Sequence, residues 1–464
     1  MKETLEKVDG LLANSVPFTP TWTAYNDAGN ELVDLVLSTL DGIPSGTVTR
    51  QKYRIVIASF LTLSREVMWK DDGVLAIPKR RAYWGHYDVG ADTILNATKQ
   101  LEAVGFLTFV PESGKRHFFD DEEGNIQWKG VLSQYSIDES LMHLEGYDDA
   151  AWIETERPRV TVGKYETYAK RKSREAQQIK KPKMPVTAMR EQFGRTYGKA
   201  RVGVREMNSY WKEHPLALPP KGNGFIPLVA CATRVYHNGR MDAGGRYYGA
   251  WTSMDKSQRL KATIDGENLV EIDLNASQPT LFSSLMGFKM EVGDSWSDLY
   301  SVIVDGLDGD DVDLKRRKIK QVTVEVIGSG QVGKQHPSPD SKYTFDVDEY
   351  DAYRNALVST VPALKLLQSV YDDGYYNGAG YISYHEAEIM TEALVRLMKE
   401  DVPSYPIHDC LLVKQSDQEV ALETYRSVVR DYILKQSKNK VNLCIPVSIE
   451  IDGKEKTRLE GYYY

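Results

Sequence analysis

Two short apolar runs, each joined to an aspartate, constrain the fold of this chain most strongly. In the first, residues 270–279, a strand-like run leads into Asp273, and a helix-like stretch follows it. In the second, residues 405–413, His408 and Asp409 stand at a tight turn before an apolar returning strand. Two aspartates on neighbouring strands could hold two Mg²⁺ ions for phosphoryl transfer. Each run alone is equally typical of a buried capping aspartate or an ordinary turn aspartate.

Composition limits the class of protein. The 464 residues are enough for two or three domains, and 41% hydrophobic with 27% charged residues is typical of a soluble protein. The three scattered cysteines, Cys231, Cys410 and Cys444, indicate no disulfide framework or cysteine zinc site, and they favour a reducing cytoplasm. We expect no membrane association, because the chain has no signal-like start and no apolar run of about 18 residues.

The sequence pattern of the N-terminal third predicts an extension over residues 1–46, followed by a compact α/β domain over residues 47–150. Helical patterns come first, and strands at 106–110 and 131–137 follow with a polar tip between them. Helices followed by a hairpin resemble a winged helix-turn-helix, which places one helix in the major groove of DNA. The alternative is a winged helix that binds only proteins. The acidic tip, residues 120–123, counts against phosphate binding by the wing.

Residues 151–222 form a basic connector, although the net charge of the chain is −8. Aromatic residues are interleaved with the basic ones, and Pro182 and Pro185 predict two helical arms. Such a surface suits a sugar–phosphate backbone, and the alternative is a solvated helical face. The connector's candidate contacts to primer or template are Lys170, Arg171, Lys172 and Arg174.

Residues 223–464 carry the remaining candidate cations. Arg240 and Arg246 lie among glycines, which let a backbone approach an anionic chain or simply form a structural loop. Arg316 and Lys320 stand four residues apart on one face of a predicted helix. This pair could clamp the triphosphate of a nucleotide, and the alternative is a solvated basic face.

Residues 234–415 resemble the palm and fingers of the family A polymerases, because several short motifs follow one another in the same order. These are the DNA polymerase I-like enzymes and the single-subunit phage-type RNA polymerases. The Gly239-Arg240 segment looks like the arginine-bearing segment before the palm. The other matches are Asp273 with the metal-binding aspartate of motif A, Arg316 and Lys320 with motif B, and His408-Asp409 with motif C.

The resemblance implies an α+β fold, with a palm and fingers, a basic helical thumb in the connector, and a winged helix before them. It implies a nucleotidyltransferase in which Asp273 and Asp409 hold Mg²⁺ or Mn²⁺. Arg316 and Lys320 would bind a nucleoside triphosphate, and Gln278 would lie at its sugar. Contacts to the primer and template are implied for His408, Arg240 and Arg246.

The chain departs from the family at three positions. Gly328 stands where an aromatic residue stacks on the nascent base pair, and Gln278 stands where DNA polymerases have a glutamate that excludes the 2′-hydroxyl. Cys410 stands where Glu or Ser is usual.

From the resemblance we expect a DNA polymerase of phage or mobile-element replication in the cytoplasm of a bacterial host. The alternatives are a single-subunit RNA polymerase or primase, and an inactive DNA-binding replication initiator.

Overall fold

The structure is a computed structural model, and it describes residues 13–464 apart from 71, 85–86, 112, 121–125, 155–158, 167–169, 171–172, 175–180, 221–224, 310, 330–331, 334–336, 338–341 and 368–377. Side chains at 82, 116–120 and 126–130 are likewise outside that description. The chain divides into two compact units. Unit 1 comprises Met1–Arg157 and Pro215–Cys231, and unit 2 comprises Pro158–His214 and Ala232–Tyr464.

The helices, numbered along the chain, are α1 (Asp27–Thr39), α2 (Thr47–Trp69), α3 (Ala91–Ala103), α4 (Val186–Glu213), α5 (Lys256–Arg259), α6 (Ser277–Leu285), α7 (Leu299–Val304), α8 (Val312–Ser329), α9 (Val347–Thr360), α10 (Gly378–Lys399) and α11 (Gln418–Gln436). Short 3-10 turns occur at Arg81–Trp84, Glu139–His143, Ala250–Ser253, Pro362–Leu366 and Gln415–Asp417.

The strands of unit 1 and the start of unit 2 are β1 (Ser15–Pro17), β2 (Trp22–Ala24), β3 (Val74–Ala76), β4 (Leu107–Phe109), β5 (Arg116–Asp120), β6 (Ile126–Gly130), β7 (Gln134–Ile137), β8 (Trp152–Glu154), β9 (Arg159–Val162), β10 (Leu216–Ala217) and β11 (Leu228–Val229). Those of the rest of unit 2 are β12 (Ala232–Tyr236), β13 (Gly244–Gly249), β14 (Thr263–Ile264), β15 (Glu267–Leu274), β16 (Ser295–Trp296), β17 (Ser404–Ile407), β18 (Cys410–Lys414), β19 (Leu443–Cys444), β20 (Val447–Ile451), β21 (Thr457–Leu459) and β22 (Gly461–Tyr463). Both units mix helices and strands, so the expected α+β class is confirmed.

Unit 1 packs α1, α2 and α3 with a sheet of strand order β1-β3-β7-β4. Helix α2 buries Tyr53, Ile57, Phe60 and Leu61, because their spacing places them on one helical face. Strands β2, β8, β11 and β10 pair in that order, and β5 and β6 form a hairpin. The predicted return of the chain after β4 is confirmed, because β4 and β7 pair in antiparallel fashion.

The structure does not separate residues 13–46 from the domain that follows them. Trp22, Leu32 and Val36 are buried in the same core as Ile57 and Phe60 of α2. The predicted boundary at residue 46 therefore marks no separate unit, since the apolar face of α1 is covered by α2. Most of the acidic tip, residues 121–123, lies outside the described residues.

Unit 2 is built on an antiparallel sheet of strand order β17-β18-β15-β20-β21. Strand β15 is central because its apolar residues Leu269, Val270, Ile272 and Leu274 are all buried. Helices α6, α10 and α11 pack together beside this sheet, and α8 packs between α7 and α9. A second sheet, of order β9-β12-β13, has α10 against β13 and α4 against β9.

The connector differs from the two helical arms that the sequence predicted. It contains the strands β8 and β9, of which β9 pairs in parallel with β12, and Pro185 is the N-cap residue of α4. Helix α4 has its break at Gly194, where φ is 43° and ψ is −113°, rather than at a proline. Glycine is the residue that adopts this backbone conformation without a Cβ clash. Among the residues that the structure describes, no helix is long and apolar enough to cross a lipid bilayer.

Candidate active site

Asp273 and Asp409 meet at adjoining strand ends in unit 2. Asp273 is the penultimate residue of β15 and lies opposite Cys410, the first residue of β18. The backbone N–H of Leu274 donates to the Asp409 carbonyl at 3.3 Å. Both acids are half-buried and line one cavity of about 400 Å³. Folding therefore brings together the two aspartates that the sequence singled out.

The turn that carries Asp409 has only two residues, His408 and Asp409, between β17 and β18. His408 has φ of 59°, in the left-handed region that non-glycine residues seldom occupy. Such strain persists only where surrounding structure holds it, and it is concentrated at functional sites. The hydroxyl of the buried Tyr425 donates to the Asp409 carbonyl at 2.9 Å, and this bond fixes the turn from one side.

A cluster of three buried aromatic residues supports β17, the strand that leads into this turn. Tyr405 stacks on Trp211, with ring centroids 5.1 Å apart, and meets Trp251 edge-on at 4.9 Å. The indole N–H of Trp211 donates to the Ser404 carbonyl at 2.8 Å, and that of Trp251 donates to Pro406 at 2.9 Å. Sequence reasoning missed this cluster, because its members come from three separate segments.

Burial disfavours the charged forms of the two aspartates in this cavity. Burial raises the pKa of Asp409 well above its usual range, and the charges of Glu386 and Asp273 raise it further. Burial also raises the pKa of Asp273, although the charge of Lys456 opposes the rise. A divalent cation between these carboxylates would favour their charged forms and so lower both pKa values.

The donor set suits Mg²⁺ in one of its usual binding modes. In the described part of the chain, no cluster of three or more His, Cys, Asp or Glu residues could hold a metal ion. Mg²⁺ is nevertheless bound in many enzymes by one or two carboxylates, together with waters and substrate phosphates. Asp273 and Asp409 fit that mode, since both line an open cavity with room for the other ligands.

Helix α8 places Arg316 and Lys320 one turn apart on the cavity wall. The Arg316 Nε donates to Asp298 Oδ2 at 2.6 Å, and Asp298 Oδ1 accepts from the Tyr300 N–H at 3.1 Å. Lys320 is exposed, with its Nζ 5.9 Å from the centroid of the Tyr300 ring. Arg316 is thus held by a carboxylate, whereas Lys320 extends into solvent at the cavity edge.

Gln278 and His408 line the same cavity. Gln278 lies in the first turn of α6, shortly after Ala276, whose φ is 49°. The His408 Nδ1 is buried, with no hydrogen-bond partner in the described part of the chain. Burial, and after it the charge of Arg246, lowers the pKa of His408, so the neutral imidazole is favoured.

Arg246 also lines the cavity, but a buried acid holds it. It forms an ion pair with Glu386 of α10, and the Ser277 hydroxyl donates to the same carboxylate at 2.6 Å. Arg240 lies elsewhere in unit 2: its Nε donates to Asp242 at 2.7 Å, and it lines a groove beside Tyr165. The structure therefore does not bring Arg240 to the two aspartates.

The glycines around Arg246 form a strand, β13, rather than a loop open to an anionic chain. A Cβ at Gly249 would collide with the ring of Trp251, and one at Gly245 would lie 2.8 Å from the ring of Tyr236. These glycines therefore serve close packing within the protein, in a strand rather than in the structural loop that the sequence left open as the alternative.

The connector cations predicted to contact nucleic acid fall into three groups. Lys170 is exposed, and Arg171 and Lys172 lie outside the described residues. The Arg174 Nε donates to Glu166 at 2.9 Å, and the Arg174 side chain is only 17% exposed. Arg174 thus forms an internal ion pair with a buried acid, which leaves it poorly placed for the phosphate contact we expected.

The sequence predicted no functional role for four residues that lie in or beside the cavity: Asp298, Tyr300, Glu386 and Lys456. Lys456 follows β20, and its Nζ lies 4.0 Å from Asp273 Oδ2. Each belongs to a segment remote from the aspartate runs and lies in no recognisable motif. Only Glu386 carried a signal, since it is an acid among the buried residues of α10.

Comparison with known proteins gave a distant structural likeness to solved structures. No protein-family model matches the chain, and no curated protein matches it. Among the solved structures similar to it is the POL domain of Pol1 from M. smegmatis, in complex with DNA primer-template and dNTP, with 12% identity and a TM-score of 0.32. The match covers 51% of this chain and 49% of that one, so the chain spans about half the length of the matched structure.

Proposed function

We propose that unit 2 is a template-directed nucleotidyltransferase of the DNA polymerase type, which adds nucleotides to a nucleic-acid 3′ end. The observation that carries the proposal is the meeting of Asp273 and Asp409 in one cavity with Arg316 and Lys320. Phosphoryl transfer depends on positioning and on stabilising negative charge, and it needs little covalent chemistry from the protein. Two acids and two cations that line one cavity supply those requirements.

Each cavity residue has a role in this proposal. Asp273 and Asp409 hold the divalent ions, Mg²⁺ or Mn²⁺, which when bound supply a Lewis acid for the 3′-hydroxyl and charge neutralisation for pyrophosphate. Lys320 and Arg316 bind the triphosphate, with Arg316 oriented by Asp298. His408, as a neutral imidazole, positions the primer terminus, and Gln278 lies beneath the incoming sugar.

The nucleic-acid duplex lies along α4 in this proposal, which takes the place of the predicted thumb. Arg201, Arg205 and Lys212 are exposed and follow one another along a single side of the helix. A row of exposed cations can neutralise the phosphates of a nucleic-acid backbone. The predicted winged helix in unit 1, and a role in phage or mobile-element replication in a bacterial cytoplasm, belong to the same proposal.

Nucleotide incorporation tests the proposed function directly. The full chain is incubated with primed or unprimed templates, with dNTPs or rNTPs, and with Mg²⁺ or Mn²⁺. Asp273→Asn and Asp409→Asn should each abolish incorporation, whereas Asp452→Asn, at an exposed turn beyond β20, should retain it. Full activity in the Asp273→Asn/Asp409→Asn double variant would contradict the proposal.

The same assay separates the alternatives. Products from unprimed templates would identify a primase or an RNA polymerase. Absence of incorporation by the wild type under every condition, combined with DNA binding, would identify an inactive initiator. Replacing Arg201 and Arg205 by Gln should reduce the logarithmic salt slope of DNA binding by about 0.7–0.9 for each phosphate that the protein no longer neutralises.

A further inference from the structure

Lys456 is a cavity cation that the proposed roles leave without a function. It lies between β20 and β21, and its side chain is 32% exposed. Its Nζ lies 4.0 Å from Asp273 Oδ2 and 3.7 Å from Glu450 Oε2. Lys456 therefore lies beside one of the two carboxylates proposed to hold metal.

An alternating row of charges links Lys456 to the sheet behind the cavity. Glu450 also forms an ion pair with Lys256. The Lys256 Nζ lies 2.8 Å from Glu450 Oε2 and 2.6 Å from Oε1 of the buried Glu271. Arg259 lies 3.3 Å from the other oxygen of Glu271. The row contains three cations and three acids, in the order Arg259, Glu271, Lys256, Glu450, Lys456 and Asp273.

A metal ion bound to Asp273 would add positive charge to this row, in which cations and acids are equal in number. It would bring two positive charges to a carboxylate whose neighbour is already an ammonium group, and like charges at such distances repel strongly. Lysine has a flexible stem and a single compact charge, so it can leave Asp273 and keep Glu450 as a partner. Arg316 and Arg246 have less freedom, since Asp298 and Glu386 hold them more closely.

We propose that Lys456 exchanges between Asp273 and the phosphates of the incoming nucleotide. Before a metal binds, Lys456 neutralises Asp273. The metal takes its place on the carboxylate, and the released ammonium group then contacts the triphosphate in the same cavity. The inference rests on the proposed function, because it requires Asp273 to be a metal ligand and the cavity to accept a triphosphate.

Direct measurement of metal binding tests this exchange without any need for catalysis. Mn²⁺ is titrated into the full-length protein without nucleotide, and free Mn²⁺ is followed by electron paramagnetic resonance. Lys456→Gln should bind Mn²⁺ about 3- to 10-fold more tightly than the wild type, because the competing ammonium group is gone. The matched control is Lys454→Gln, at an exposed lysine of the same turn, which should bind as the wild type does.

A second titration follows the triphosphate. With Mn²⁺ saturating, Lys456→Gln should bind a non-hydrolysable dNTP analogue about 10-fold more weakly than the wild type, in contrast to its stronger binding of the metal alone. Lys456→Arg, which keeps the charge, should restore most of the nucleotide affinity. Circular dichroism of each variant establishes that it is folded.

The outcomes separate this inference from the proposed function. Unchanged Mn²⁺ affinity in Lys456→Gln overturns the exchange, whatever happens to the triphosphate. Tighter Mn²⁺ binding without weaker triphosphate binding also overturns it, because Lys456 would then act on the metal alone. If Asp273→Asn binds Mn²⁺ as tightly as the wild type, Asp273 is not a metal ligand, and the proposed function fails together with the exchange.

Discussion

Glu271 and Glu450 lie directly opposite each other on the adjoining strands β15 and β20. Like charges at opposing positions of an antiparallel pair destabilise a sheet. Here the Lys256 Nζ lies between them, 2.6 Å from Glu271 and 2.8 Å from Glu450. Lys256 therefore offsets the repulsion between Glu271, on the strand that carries Asp273, and Glu450 on the neighbouring strand.

Replacing Lys256 by Met should lower the free energy of unfolding in urea by about 1–3 kcal/mol, because the buried Glu271 loses its closest cation. Adding Glu450→Gln should recover part of that stability by removing one of the two facing charges. Lys261→Met, at an exposed position nearby, is the control and should change stability little. Equal stability of Lys256→Met and the wild type would show that Arg259 alone neutralises Glu271.

Asp409→Asn should stabilise the fold when no metal is present. Burial, Glu386 and Asp273 all disfavour the Asp409 carboxylate, so an uncharged amide removes repulsion from the cavity. We expect the thermal unfolding midpoint of the variant to rise by about 1–2 °C in chelator, equivalent to about 1 kcal/mol. MgCl₂ should raise the midpoint of the wild type more than that of the variant, with NaCl of equal ionic strength as the control. A lower midpoint in chelator would mean that Asp409 contributes to packing.

Asp298 has two functions that substitutions can separate. Its carboxylate accepts from the Tyr300 N–H at the start of α7 and pairs with Arg316. Asp298→Asn keeps an acceptor for the helix cap and removes the charge, whereas Asp298→Ala removes both. The alanine variant should therefore be less stable than the asparagine variant by about 1 kcal/mol in urea denaturation. Identical stabilities of the two variants would assign the whole effect to the ion pair.

Gln278 should influence the choice between deoxyribose and ribose. Its amide has nearly the volume of glutamate but can donate a hydrogen bond to a 2′-hydroxyl, so we expect weak discrimination by the wild type. Gln278→Ala should increase ribonucleotide use if bulk excludes the hydroxyl, and decrease it if the amide binds the hydroxyl. Either contribution is worth about 1–3 kcal/mol, so the ratio of dNTP to rNTP efficiency should change about 5- to 150-fold in single-nucleotide extension. An unchanged ratio would place Gln278 away from the sugar.

His385 should make the stability of the protein depend on pH. Burial lowers its pKa from 6.5 to about 4, although the charge of Asp242 opposes this. Between these values the unfolded chain binds a proton that the folded protein does not bind. Stability should therefore fall as the pH drops from about 6.5 towards 4, by at most about 3 kcal/mol.

His385→Gln should flatten this dependence, measured as the free energy of unfolding in urea at a series of pH values. Glutamine can keep a hydrogen bond to the Tyr432 hydroxyl, which lies 2.8 Å from the His385 Nδ1. A slope equal to that of the wild type would assign the pH dependence to other groups, such as the half-buried His237, whose pKa burial also lowers to about 4.

The sequence alone was sufficient to locate β15, the His408-Asp409 turn and the face of α8 that carries Arg316 and Lys320. These features depend on local rules: the alternation of a strand, the short connection of a hairpin, and the four-residue spacing of a helix face. Each of these features can be recognised within a few consecutive residues. The antiparallel pairing of β15 with β18 follows when the two apolar runs lie side by side.

Only the tertiary structure decided which charges remain available in the cavity. Arg316 pairs with Asp298, Arg246 with Glu386 and Arg174 with Glu166, so each of three cations expected to face a ligand also has an acid as a partner. Lys456 enters the cavity from a segment that no motif marked. The strength of an ion pair depends on burial and on distances between segments remote in sequence, and neither can be read from the spacing of residues along the chain.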